Sequence, residues 1–203
     1  TMSPQMEDIK QRIPLIADTD SSVLIYGETG TGKELVAESI HTASKRAGRR
    51  FVAKNCAAIP GNLLESILFG TKKGSYTGAE NKPGLFEIAN GGTLFLDEIN
   101  SMEMNVQAKI LKAIEEKQVV RLGGYEPIKT DIKVISAVNE RPMDCVKAGK
   151  LREDLFYRLS VVQVNIPPLR ERRDDILYMA SRFIEVYNQS MQRDIMGLDE
   201  QVE

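Results

Sequence analysis

One stretch restricts the fold more than any other: Gly27-Glu28-Thr29-Gly30-Thr31-Gly32-Lys33-Glu34, placed between the apolar run Val23-Leu24-Ile25-Tyr26 and a helical pattern. Its glycines let backbone N–H groups turn inward onto an anion, the next helix presents its positive end, and Lys33 adds a mobile cation. Strand, spacing, lysine and helix together read as a loop for the β- and γ-phosphates of a nucleoside triphosphate. The bland alternative is a glycine-rich turn that only joins strand to helix. Position 34 is Glu where Ser or Thr normally offers a hydroxyl to magnesium, so from the residues alone the metal would lean on a second acidic site or on water.

Such a site is expected at the end of a strand, and Gly91-Gly92-Thr93-Leu94-Phe95-Leu96-Asp97-Glu98 supplies one. A strand buried on both faces reads as continuous hydrophobicity, and ligands of open α/β sheets gather at the carboxyl ends of such strands. Asp97 is therefore assigned to magnesium, directly or through water, and Glu98 to polarising the water that attacks the γ-phosphate. Taken alone, the pair could equally be a solvated strand end.

The 203 residues suffice for one domain, or one domain and part of another. With 27 Lys and Arg against 29 Asp and Glu, the formal charge of −2 offers no bulk electrostatic case for nucleic acid. The cluster Lys45-Arg46 with Arg49-Arg50 reads as a solvated loop. Cys56 and Cys145 lack metal-ligand spacing, which suits reduced thiols in a cytoplasm, with neither disulfide nor zinc expected. His41, the only histidine, has no ligand set around it and reads as structural. No apolar run approaches the ~20 residues of a membrane span, and the N-terminus lacks a signal-peptide core.

Strands and helices alternate, which predicts a parallel sheet covered by helices on both faces. Strands are expected at 23–26, 51–55, 93–96, 133–138 and 161–166, and helices at 5–17, 33–47, 62–69, 83–90, 103–117 and 151–158. Residues 118–133 read as a β-hairpin before the fourth strand. After Pro167-Pro168, Asp174 and Asp175 open a helix with Ile176, Ala180, Phe183, Ile184 and Tyr187 on one stripe. The expected division is an α/β nucleotide-binding subdomain over 1–168 and, over 169–203, the start of a helical subdomain whose broad apolar face needs further neighbours.

Between the helical faces of Leu63, Leu64, Ile67, Leu68 and of Leu85, Phe86, Ile88, Ala89 lies Gly74-Ser75-Tyr76-Thr77-Gly78-Ala79. Two glycines bracket an aromatic and a threonine, so the tip bends sharply and no local apolar partner hides Tyr76. The residues by themselves favour a loop folded back on the domain over a partner contact.

Three stretches, Gly27 to Glu34, the strand ending in Asp97-Glu98, and above all Gly74 to Ala79, resemble the central ATPase domain of bacterial enhancer-binding proteins, the sigma-54-dependent transcriptional activators of the AAA+ class. The resemblance covers nearly the whole chain, and Thr1 to Met6 resembles the entry to that domain. Glu34 after the lysine is the family's own form of the loop. Two positions depart from the family's pattern at the tip, Ser75 for Ala and Tyr76 for Phe, each adding a hydroxyl. A third is Val138 before Asn139, where Thr-Asn is common.

The resemblance implies an AAA+ P-loop NTPase, cytoplasmic, that hydrolyses ATP with magnesium as a ring, taken as a hexamer. It remodels RNA polymerase bound to sigma-54 and touches the sigma factor through Gly74 to Ala79, the hairpin after Gln118 assisting. No membrane and no direct DNA contact by these residues is implied. Asn55 matches an asparagine that pairs with the catalytic glutamate, here Glu98, and is otherwise a strand cap. Asn139 matches a reporter of the γ-phosphate, and is otherwise a turn residue. Arg158 and Arg152 match arginines that reach a neighbour's nucleotide, and are otherwise helix salt bridges. The alternatives are another AAA+ remodelling ATPase and a nucleotide-gated assembly module with little turnover.

Overall fold

The computed structural model describes residues 3–76 and 78–199. Five parallel strands, β1 (Val23–Tyr26), β2 (Phe51–Asn55), β5 (Thr93–Asp97), β8 (Lys133–Val138) and β9 (Val162–Asn165), form one sheet in the order β2-β5-β8-β1-β9. The three inner strands are apolar almost throughout because helices cover both faces; all six residues of β8 are buried. The expected strand spans agree with the observed ones to within one residue at each end.

The connecting helices are α1 (Pro4–Ala17), α2 (Lys33–Thr42), α3 (Gly61–Phe69), α4 (Leu85–Ile88), α5 (Met104–Glu116), α6 (Pro142–Lys147), α7 (Glu153–Leu159) and α8 (Asp174–Met191). The core lies between the sheet and the α3, α5 and α7 layer, with Leu94, Leu96, Ile110, Leu155 and Phe86 almost fully enclosed. Val106, Ile110, Ala113 and Ile114 of α5 form the buried stripe that their spacing predicts. Gln107, fully buried among them, is satisfied on both ends of its amide. It donates to the Met102 and Lys150 carbonyls at 3.0 and 2.8 Å and accepts from the Arg152 N–H at 2.9 Å.

Several elements differ from the expected ones. Helix α2 stops at Thr42, five residues early, because Ser44 turns the chain: its hydroxyl donates to the His41 carbonyl at 2.7 Å and accepts from the Arg46 N–H at 3.1 Å. Arg46 is not solvated; at 13% exposure its guanidinium bridges Asp131 and Asp20 at 2.7 and 3.1 Å. The helix expected from Pro83 starts at Leu85, since Lys82–Pro83 is instead strand β4, paired with β3 (Gly70–Thr71). Helix α6 is not among the expected helices; Pro142 at its first turn is the local signal for it. The predicted hairpin is present as β6 (Gln118–Val120) and β7 (Pro127–Lys129). His41 is buried, hydrogen-bonded to Thr93 Oγ1 at 2.8 Å, with its pKa lowered by burial, in keeping with a structural role.

The chain separates into two compact units, one from Ile13 to Ile166 and one combining the segment up to Arg12 with the segment from Pro167. In the latter, the buried Asp175 carboxylate accepts from the Ser3 N–H at 3.1 Å and faces Arg172 at 3.7 Å. On the apolar stripe of α8, Phe183 and Tyr187 are about half exposed, while Ala180 and Ile184 are partly buried.

Candidate nucleotide site and tip loop

Strand register decides what meets at the carboxyl edge of the sheet. Tyr26 lies opposite Val138, and Asn55 opposite Asp97, so the segments leaving β1, β8, β2 and β5 emerge side by side. The Gly27 N–H donates to the Val138 carbonyl at 3.3 Å, stitching the phosphate loop to the end of β8. Gly30 and Gly32 adopt φ of 83° and 97°, a region that suits glycine, and a Cβ on Gly27 would lie 2.7 Å from Thr31 Oγ1. Thr31 is buried and its hydroxyl donates to the Glu28 carbonyl at 2.8 Å, while Glu28, Thr29 and Gly30 face solvent. Lys33 is buried with its ammonium on the Gly27 and Glu28 carbonyls at 3.0 and 3.1 Å, at the mouth of the loop. Glu34 points into solvent from the first turn of α2.

Asp97 accepts from the Glu98 N–H at 3.0 Å through Oδ1 and from the Asn55 amide at 3.5 Å through Oδ2. The asparagine thus contacts Asp97 rather than Glu98, the partner expected from the resemblance, because β2 and β5 run in register at this point. Asn55 Oδ1 also accepts from the Ala58 N–H at 3.1 Å, tying the acid to the segment that leads into α3. Glu98 adopts φ 54° and ψ 48°, a left-handed conformation that costs a non-glycine residue about 1–3 kcal/mol. Among the described residues its carboxylate has no hydrogen bond or ion pair. Cys56, beside this pair, is inert, its thiol pushed up to about 12 by burial first and by the Asp97 and Glu98 charges second.

No cluster of three or more acidic, histidine or cysteine side chains occurs among the described residues. Magnesium keeps several waters and takes one or two carboxylates together with substrate phosphates. Asp97 and Glu98, half-buried beside the loop, are two oxygen donors of the kind such an ion takes.

Asn139 follows β8 next to the loop, and its Oδ1 accepts from the Asn100 amide at 3.0 Å. The two arginines singled out by resemblance lie at opposite ends of α7. Arg152 is the N-cap, near the carboxyl edge, and holds Asp154 through two hydrogen bonds at 3.0 and 2.7 Å. Arg158, six residues and about 9 Å further along the axis, borders a cavity of about 100 Å³ at the amino edge, with Lys117, Thr130, Asp131 and Ser22. It donates weakly to the Ile114 carbonyl in the last turn of α5, at 3.5 Å.

The tip loop rises from the short β3–β4 ladder. Gly70 and Gly84 sit back to back there, and a Cβ on Gly84 would come within 2.4 Å of the Gly70 nitrogen. Gly74 and Gly78 take φ of 90° and 83°, and Tyr76 between them is 53% exposed, so the ring is not folded away. Ala79 and Ser75 are more enclosed. Thr77 lies outside the described residues.

The turn of the β6–β7 hairpin is bonded to this stalk: the Leu122 N–H donates to Gly70 and the Lys72 N–H to Leu122, both at 3.0 Å. Arg121 grips Glu87 of α4 bidentately at 2.8 and 2.6 Å, and Glu87 in turn accepts from the Gly84 N–H at 3.2 Å. Sequence reading missed this clamp, for which the only local signal was a glutamate three residues after Gly84. The Arg121 hydrogen bonds hold the Glu87 carboxyl below its usual range. Its folded pKa being lower than the unfolded value of about 4.3, the stabilisation is complete above that pH and fades as pH falls through the folded value. Arg121→Ala is therefore expected to cost about 1–3 kcal/mol at neutral pH, with the difference from the parent chain shrinking below pH ~4. Urea melts at several pH values check this; a constant difference down to pH 3 would refute it.

Residues 1–165 match the family model described as the sigma-54 interaction domain. The chain is 50% identical over 200 residues to the transcriptional activator RocR of Bacillus subtilis (strain 168), covering 98% of this chain and 43% of that protein. It is 49% identical over 185 residues to the DNA-binding transcriptional regulator NtrC of Escherichia coli (strain K12), covering 91% and 39%. It thus spans less than half the length of these relatives. Among solved structures, NtrX from Brucella abortus in complex with ATP superposes with a TM-score of 0.85 at 40% identity, over 92% of this chain and 42% of that one. With its parallel five-stranded sheet and phosphate loop in the AAA+ P-loop NTPase arrangement, the chain belongs to the sigma-54 interaction domain family of sigma-54-dependent transcriptional activators.

Proposed function

We propose that this chain is the ATP-hydrolysing AAA+ domain of a cytoplasmic transcriptional activator, working as a ring, taken as a hexamer, that remodels RNA polymerase bound to sigma-54. The backbone of Gly27 to Gly32 and the Lys33 ammonium hold the β- and γ-phosphates, and Lys33 would exchange its loop carbonyls for phosphate oxygens. Asp97 would hold magnesium, directly or through water, and the ion would supply positive charge against the charge developing on the phosphates. Glu98 takes a proton from the attacking water: its carboxylate has no partner among the described residues, and its left-handed backbone sets it apart from the strand that Asp97 ends. Asn139 reports the γ-phosphate.

Arg158 cannot serve its own site. It lies at the amino edge, one strand length or about 15–20 Å from the loop, well beyond the reach of an arginine side chain. Its use would be on the nucleotide of a neighbouring subunit, with Arg152 as a second donor once its pair with Asp154 opens.

The observation that carries the reading is the join between two sites of unlike chemistry. Asn55 holds Asp97 and the start of the segment into α3, whose far end, Phe69, stacks on Phe86 at 5.5 Å beneath the stalk of the half-exposed Tyr76. A change in γ-phosphate occupancy near Asp97 has a packed route to Gly74 to Ala79, the surface proposed to touch sigma-54. Retention on immobilised sigma-54 in the presence of ADP and aluminium fluoride tests this. The chain is expected to be retained, and Thr77→Ala to lose retention and transcription activation while keeping ATP hydrolysis. Retention of the variant would remove the loop from the contact.

A further inference from the structure

Asn100 belongs to none of the motifs above. It sits in a single turn of 3-10 helix, Ile99–Ser101, directly after Glu98. The turn is pinned to the glutamate: the Ser101 hydroxyl and N–H both donate to the Glu98 carbonyl, at 2.6 and 3.0 Å. From it the Asn100 side chain crosses to the residue that follows β8 and donates to Asn139 Oδ1 at 3.0 Å. The other end of the Asn100 amide, Oδ1, is buried with no hydrogen-bond partner among the described residues. A buried acceptor left unpaired costs about 1–3 kcal/mol, so the Asn100–Asn139 contact is poorly explained as a stability device.

Its chemistry explains it better. A carboxamide has a carbonyl that accepts and an NH2 that donates, and its two ends exchange by a half-turn of the terminal bond. Only the NH2 end suits a phosphate; a carbonyl turned that way would set lone pairs against anionic oxygens. Asn139 needs its carbonyl held from behind by a donor, and the Asn100 amide is that donor. The neighbouring Val138 has an aliphatic side chain with no polar atom to offer, and the hydrogen bond that reaches the Asn139 carbonyl comes from Asn100, so the orientation of Asn139 rests on Asn100.

We propose that Asn100 is a positioning residue that turns the Asn139 amide with its N–H groups toward the γ-phosphate, and so ties that contact to the turn carrying Glu98. The proposal rests on the nucleotide reading of the site.

The test is the ratio of affinities for ATPγS and ADP, measured by displacement of a fluorescent nucleotide from the whole chain. ADP serves as the internal control for folding. Asn139→Ala is expected to lower the preference for ATPγS on the order of tenfold, Asn100→Ala to lower it similarly with ADP affinity kept, and the double variant to lose no more than either alone. Should Asn100→Ala fail to bind ADP, Asn100→Ser, whose hydroxyl is too short to span to Asn139, replaces it with the same expectation. If Asn139→Ala lowers the ratio and the Asn100 variant does not, or if the losses multiply, the positioning role is overturned. If Asn139→Ala itself leaves the ratio unchanged, the γ-phosphate assignment of Asn139 falls, and the inference with it.

Discussion

Glu98→Gln is expected to keep ATP binding intact and to lower kcat by about 10²–10⁴-fold, the usual contribution of a general base. The phosphate loop, Lys33 and Asp97 are untouched by the change, and glutamine is close to isosteric, so the ground-state complex loses only a proton acceptor. The structure sharpens this expectation. Glu98 accepts no bond from Asn55, whose amide is on Asp97, so no internal partner is orphaned by the substitution. The left-handed backbone is a property of the position and remains, with glutamine adopting it at similar cost. Nucleotide titration and steady-state phosphate release measure both halves. Turnover within a few-fold of the parent chain would remove Glu98 from the chemistry and shift attention to Asp97.

Arg158→Ala is expected to lower turnover by about 10³–10⁵-fold, the range for an arginine delivered to a transferring phosphoryl group from a neighbour. The loss of a bond to the Ile114 carbonyl at 3.5 Å is too weak to unfold the domain, so a melt close to the parent's should accompany the loss. Mixing this variant with Glu98→Gln separates a role in trans from one in cis. Each protein alone is inactive, yet in a mixed ring about a quarter of the interfaces join an intact Glu98 on one subunit to an intact Arg158 on the next. Partial recovery on mixing is the expected result. No recovery, with mixed assemblies verified by size, would refute delivery across the interface. Arg152→Ala should lose less, because its guanidinium already has a bidentate partner in Asp154.

Much of this site is legible before any fold is known, because its signals are local. The spacing from Gly27 to Lys33 and the apolar run into Asp97-Glu98 are properties of a few consecutive residues, and strand and helix periods are imposed by backbone geometry. The elements misjudged are those where side chains compete with the backbone or where an element is too short to show a period. Ser44 ended α2, and the two-residue strands β3 and β4 left no alternation to detect.

What the chain determines by itself is therefore the phosphate loop, the acid strand end, the parallel sheet and the bend of the tip between Gly74 and Gly78. Only the tertiary structure decides that Asn55 meets Asp97, that Arg158 stands a strand length from its own nucleotide loop, that Arg121 locks the hairpin to the stalk through Glu87, and that Asn100 backs Asn139. Each of these joins residues more than thirty positions apart or depends on which edge of the sheet a helix end reaches. Register, sheet order and crossover direction set such pairings, and no periodic pattern in the sequence records them.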